Sequence, residues 1–79
     1  MRRYYFDLKF EGQNASHDEE GMQLPHVEAA QTEAARTLCD FARAMMKGKQ
    51  HLTTLAVIVR DDDGLVLKAD INFKIMRLH

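Results

Sequence analysis

The sequence has no tryptophan, one cysteine, one proline and four glycines in 79 residues. A lone Cys39 cannot form an internal disulfide, which points to a reducing compartment, and we expect a cytoplasmic protein. His17, His26, His51 and His79 have no partner at ligand spacing and the thiol stands inside a helical pattern, so a zinc site is unsupported. The few glycines form no phosphate-cradling loop and flank no serine, which leaves no P-loop and no nucleophile elbow. Neither charge predominates: 11 basic side chains stand against 12 acidic ones, so no global field draws the chain to phosphate backbones or anionic membranes. Long apolar runs are missing as well. The longest uncharged one, Leu52 to Val59, has eight residues, well short of a membrane span. The basic start, Met1-Arg2-Arg3, leads into a stretch that Asp7 and Lys9 interrupt, so it is no secretion signal, and we expect a soluble protein.

What is present is one long helix signal, LPHVEAAQTEAARTLCDFARAMMKG, from Leu24 to Gly48. Pro25 suits the first helical position, where its missing N–H costs nothing, and the pattern predicts a helix over residues 25–47. At helical spacing Val27, Ala34, Leu38, Phe41 and Met45 form one line, with Ala30 on one side and Ala35, Cys39, Ala42 and Met46 on the other. Glu33, Arg36, Asp40, Arg43 and Lys47 take the opposite face. Acids early and bases late match the helix dipole, and Gly48 suits the C′ position. The N-terminus has no preferred cap, since neither Leu24 nor His26 is a standard acceptor for the orphan N–H groups.

The flanks read as strands. Over residues 3–10, Tyr4, Phe6, Leu8 and Phe10 alternate with Arg3, Tyr5, Asp7 and Lys9, the period of a half-buried strand. Glu11 to Asn14 carries turn chemistry. Residues 16–20 are assigned a short edge strand whose acids discourage aggregation, with a lid over the helix through Met22 and Leu24 as the alternative. Residues 52–60 set Leu55, Val57 and Val59 on one face and Thr54, Ala56 and Ile58 on the other. Asp61 to Gly64 is a hairpin loop. Over residues 65–77, Leu65, Leu67, Ala69, Ile71, Phe73 and Ile75 point inward and Lys68, Asp70, Asn72 and Lys74 outward. The expected fold is α+β: a single domain with a small antiparallel sheet of three or four strands in β-β-α-β-β order and one long helix on one face.

The acidic turns fail as calcium loops. With Gly64 at the sixth position, Val59 falls first and Asp70 twelfth; with Gly21 there, Ser16 falls first and Val27 last. Cys39, on the flank of the apolar stripe, is expected to be an inert, half-buried thiol. No acid, base or nucleophile can be assigned, so we expect no enzyme activity, no cofactor and no metal. Arg3, Tyr5, Lys9 and Lys68 form a candidate nucleic-acid face on the open side of the sheet, opposed by Asp7 and Asp70 on the same face. The positive signal is excess apolar surface. A helix arc of about 180° exceeds the stripe of about 100° that packing on a sheet requires. Ala35, Cys39, Ala42 and Met46 on the helix, and Ile58, Val66 and Met76 on the second sheet face, are therefore candidate interface residues. They favour a non-enzymatic interaction module that self-associates as a homodimer, since a chain this short gains from an added apolar interface.

RYYFD at Arg3 to Asp7, DEEGMQLP at Asp18 to Pro25, EAAQTEAAR at Glu28 to Arg36, and VRDDDGLVL followed by INFKI resemble a family of short bacterial proteins, mostly alphaproteobacterial, known as a domain of unknown function. The resemblance covers nearly the whole chain and supplies no catalytic residues. It implies an Asp after the Leu-Pro, a better helix cap, where this chain has His26. The aromatic strand, acidic-Gly turn and Ala- and Glu-rich helix also resemble the core of HicB-type antitoxins, without their DNA-binding extension; that likeness implies a small regulatory or nucleic-acid-associated role.

Overall fold

The computed structural model describes residues 1–45, 52–74 and 76–79. Met46, the Gly48 helix stop and Ile75 lie outside the described residues. In chain order the elements are β1 (Arg2–Phe10), β2 (Gln13–Ser16), β3 (Met22–Leu24), α1 (Val27–Met45), β4 (Leu52–Asp61) and β5 (Gly64–Lys74). All strand pairs are antiparallel, in the order β2-β1-β4-β5, with β3 on the same edge of β1 as β2. The fold is α+β, with α1 across one face of the sheet.

Register explains the core. Phe6, Leu8 and Phe10 on β1 pair with Val59, Val57 and Leu55 on β4, and these pair in turn with Leu67, Ala69 and Ile71 on β5. The alternating apolar residues of three strands thus line up in rows facing α1. The β4 members are sealed, Leu55 at 1 % exposure and Val57 and Val59 at 0 %, because β4 lies centrally in the sheet. Their neighbours on β1 and β5 remain half-buried. A single helix covers the middle of the sheet and leaves its sides partly open.

On α1 the buried row is Ala30, Ala34, Leu38 and Ala42, with Phe41 and Met45 packed beside it. The buried face of the helix is centred on the expected line, but burial along that line is uneven. Val27, placed in the central line by spacing, is 40 % exposed, whereas Ala30 and Ala42, placed on its flanks, are core residues. Small alanines let the helix backbone approach the sheet closely, and that close approach selects the buried row.

The segment before the helix divides in two. Residues 17–20, expected within an edge strand, form a loop, and strand pairing occurs on either side of them. The lid alternative is excluded as well: the segment pairs edge-on with β1, Met22 is exposed, and Leu24 packs against the core. β1 and β2 are joined at Glu11 and Gly12, whose φ values of 54° and 80° suit a type I′ hairpin. Glu11 sustains its left-handed backbone through two bonds to β4: its N–H donates to the Thr54 carbonyl at 2.8 Å, and its carboxylate accepts the Thr54 N–H at 2.9 Å.

The β4–β5 pairing shifts between Val59 and Arg60, so that Arg60 faces Leu65 while Val59 faces Leu67. Val66 is the extra residue of this bulge. The bulge reverses two expected placements. Leu65, expected inward, is 80 % exposed and lines a groove with Ile58 and Arg60, whereas Val66, expected on the outer face, packs against the core.

Candidate functional site

The polar groups of the open sheet face converge on Arg60. Its guanidinium comes from the C-terminal end of β4, beside Tyr5 and diagonal to Asp7 on β1. Arg60 Nε donates to Asp7 Oδ2 at 2.8 Å, Nη2 reaches Asp7 Oδ1 at 3.4 Å, and Nη2 also donates to the Asp18 carbonyl at 2.6 Å. The guanidinium carbon lies 4.5 Å from the Tyr5 ring centroid, a cation–π stack. His17 closes the cluster, with Nε2 at 3.1 Å from Arg60 Nη2 and Nδ1 at 3.4 Å from Asp7 Oδ1. These two contacts suit the tautomer protonated on Nδ1, in which Nε2 accepts from Arg60.

Asp18 ties the loop to the sheet. Its Oδ2 accepts the Phe6 N–H at 3.1 Å, and its Oδ1 accepts the N–H groups of Glu20 and Gly21 at 3.1 and 3.0 Å. Its own N–H donates to Asp7 Oδ1 at 2.8 Å. The carboxylate therefore supplies, between β2 and β3, the acceptor that a continuous edge strand would have supplied from its backbone. Gly21 completes the turn at a φ of 72°, and a Cβ there would meet the Tyr4 carbonyl, Arg3 Cγ and Tyr5 Cε2, all at 2.9 Å. Backbone conformation and space both demand glycine at this position.

The electrostatics follow from these contacts. Burial pushes the Asp7 carboxyl up, but hydrogen bonds from Arg60 and the Asp18 N–H, with the Arg60 charge, outweigh it and hold Asp7 below the usual carboxylate value. Asp18 behaves alike: burial raises it, and the N–H groups of Gly21, Phe6 and Glu20 prevail, so it too is lowered. Asp61 is held low chiefly by its hydrogen bond from Arg2, which bridges Asp61 at 2.9 Å and Asp63 at 3.1 Å.

Two shallow grooves flank the cluster. One, of about 330 Å³, has Ile58 and Leu65 beside Asp7, Lys9, His17 and Arg60. The other, of about 530 Å³, runs past Arg2, Arg3, Tyr5 and Gln23 to Asp62 and Asp63. The cations of the second are engaged within the chain: Arg2 as described, and Arg3 through the Glu20 carbonyl at 2.7 Å. Among the described residues no group of three or more His, Cys, Asp or Glu side chains is placed to hold a metal ion.

The sequence-derived residues fall as follows. Arg3, Tyr5 and Lys9 lie along β1 and Lys68 on β5, but Tyr5 carries Arg60 on its ring and Lys68 sits 3.8 Å from Asp70. Of the interface candidates, Ala35 and Cys39 are exposed, Met76 is 61 % exposed and Ile58 is half-buried. Ala42 is not at the surface but in the core, because the buried face of α1 extends to it from the central line, and Val66 packs inward at the bulge. Cys39 is exposed rather than half-buried, since it lies about 60° farther around the helix than Ala42, past the edge of the buried face. By sequence Asp18 is one of three solvated acids. The signal that marks it is the Asp-x-x-Gly spacing to Gly21: an Asx turn takes the N–H two residues on, here Glu20, and the glycine that follows closes it.

The class of molecule is thus a small α+β protein with one helix on an antiparallel sheet and a salt-bridged loop lock on the open face. The family described as Domain of unknown function (DUF6894) matches residues 3–72, and the chain belongs to it. No match was found among curated proteins or among solved structures, and none of these comparisons carries the HicB-type likeness. No helix among the described residues is long and apolar enough to cross a membrane.

Proposed function

We propose that this protein is a non-enzymatic interaction module that acts by contact and self-associates as a homodimer in the cytoplasm. The observation that carries this reading is the apolar surface left uncovered at the margins of the helix–sheet contact. On β5, Leu67, Ala69 and Ile71 pack against the core yet stay half-buried, unlike the sealed Val59, Val57 and Leu55 beside them, and Phe73 is half-buried as well. On α1, Phe41 and Met45 line a groove with Phe10 and β2. Ala35 and Cys39, both exposed, lie about 120° or more around the helix from Phe41. A second apolar surface against these margins would complete the burial, a gain that matters in a chain whose core is small.

The cytoplasmic location rests on the single thiol. The absence of an enzymatic role is our reading of a cluster whose hydrogen-bonding groups serve one another. A nucleic-acid role for Arg3, Tyr5, Lys9 and Lys68 has weaker support, because Arg60 occupies the Tyr5 ring and Arg3 is bonded to Glu20. Light scattering over a concentration series tests self-association directly. The expected result is a dimer in the micromolar range; a strict monomer at high micromolar concentration overturns the proposal.

A further inference from the structure

β5 pairs with β4 along one edge, and no strand among the described residues pairs with its other edge. The strand is eleven residues long, Gly64–Lys74, and contains no proline. Such an edge is a template for another strand. Resting on the reading of self-association above, we infer that the dimer forms here, by antiparallel pairing of β5 with β5 of a second copy about a two-fold axis at Ala69.

Three features of β5 select that register. First, keeping both helices on the same side of a joined sheet requires a residue to meet its own copy, and Ala69 is the midpoint of Gly64–Lys74, so this centre brings the whole strand alongside its copy, with the regular pairs running from Leu67 to Ile71 and the Val66 bulge outside them. Second, this centre sets Lys68 opposite Asp70 of the second copy and Asp70 opposite its Lys68, two facing pairs of unlike charge on the open face. In one chain these residues make only a loose, exposed contact of 3.8 Å and remain available. Centring on Asp70 would set that carboxylate against itself; centring on Ile71 would set Lys68 against Lys74. A centre at Asn72 again pairs Lys74 with Asp70 but uses only half the strand. Third, on the helix side the Ala69 centre sets Leu67 against Ile71, continuing across the joint the apolar rows that α1 leaves half-covered. The occupant is therefore a second copy of this chain: the strand is complementary to itself.

The test uses charge exchange in the full chain. Lys68→Asp and Asp70→Lys, each alone, place like charges opposite one another at two positions and should weaken the dimer roughly tenfold or more. Mixed in equal amounts, the two variants should form a heterodimer of restored affinity, because both facing pairs then again join one carboxylate to one ammonium. Repair of a contact within one chain cannot produce that rescue. In a Cys39→Ser background, Ala69→Cys should oxidise to a covalent dimer, since directly opposed residues lie within disulfide reach. A dimer that both variants leave unchanged, or that yields no Ala69→Cys crosslink, overturns this interface while leaving self-association standing. A strict monomer overturns both.

Discussion

The Asp18 carboxylate accepts the Phe6 N–H at 3.1 Å in the gap between β2 and β3, where no strand backbone lies opposite. The same carboxylate holds the N–H groups of Glu20 and Gly21. Removing it leaves a part-buried strand N–H without a partner, which costs about 1–3 kcal/mol. Asp18→Ala should therefore lower stability by roughly that amount. Glu19→Ala, in the same exposed loop, should stay within about 0.5 kcal/mol. Urea denaturation of both variants checks the contrast, and equal stabilities would show that the loop does not depend on this carboxylate.

Acid should act through the same groups. Asp7 and Asp18 are held below the ordinary carboxylate value in the folded chain. The unfolded chain therefore binds more protons between the folded and ordinary values, and stability rises with pH there. The contribution is complete above about pH 4–5 and is lost as pH falls through the lowered folded values. Urea midpoints from about pH 7 to about pH 2.5 should be flat and then decline, with the decline shallower in Asp7→Asn. An unchanged slope in that variant would assign the acid sensitivity to other groups.

At the helix start, the Ala29 N–H lies 3.1 Å from the His26 carbonyl and 3.1 Å from its ring Nδ1, so the histidine ring acts as a cap. The same Nδ1 lies 3.4 Å from Glu28 Oε1, and it cannot accept from Ala29 while donating to Glu28. His26→Asp replaces this divided cap with a permanent acceptor and adds a negative charge at the positive end of the helix, for a gain of about 0.5–1 kcal/mol. His26→Ala should lose a similar amount. Thermal melts at neutral pH measure both; identical melting temperatures for all three proteins would remove His26 from the cap.

Two glycines separate strain from space. Gly12 and Gly21 both have positive φ, but a Cβ at Gly12 meets nothing within 4 Å, whereas at Gly21 it strikes the Tyr4 carbonyl at 2.9 Å. Gly12→Ala should cost about 1–2 kcal/mol from the left-handed backbone alone. Gly21→Ala should cost more, since the Tyr4 carbonyl belongs to β1 and yields only if β3 moves away. Equal losses in denaturation would mean that the loop shifts freely.

Much of the fold was legible because alternation along β1, β4 and β5 records which face is buried, and register follows from that face. Alternation misplaces the start of β5 because a bulge adds a residue without disturbing the pattern; LVL reads identically with Leu65 or Val66 inward. The helix and its buried side were legible in the pattern, but not which residues are sealed, since angular spacing makes bulky Val27 central while packing against the sheet buries Ala30 and Ala42. The cluster was the least legible part. Asp7 and Arg60 lie 53 residues apart, and only the strand pairing makes them neighbours. Asp18 resembles its exposed neighbours Glu19 and Glu20 until the break between β2 and β3 gives it a backbone to serve.

The position of β1 between β2 and β4 fixes an order of events. Synthesis delivers β1 first, yet its central partner, Leu55 to Arg60, follows the helix and emerges long after. Until then the N-terminal half holds only a short hairpin, the β3 contact and a helix with no sheet to cover. The β4–β5 hairpin, by contrast, closes over a tight turn and assembles from neighbouring residues within microseconds. Joining β1 to it must overcome the closure entropy of a loop of about 45 residues. Among the strand pairings, the docking of the first strand made onto the last hairpin made therefore carries the largest closure cost, and a chain that stops short of β4 leaves Phe6, Leu8 and Phe10 without their central partners.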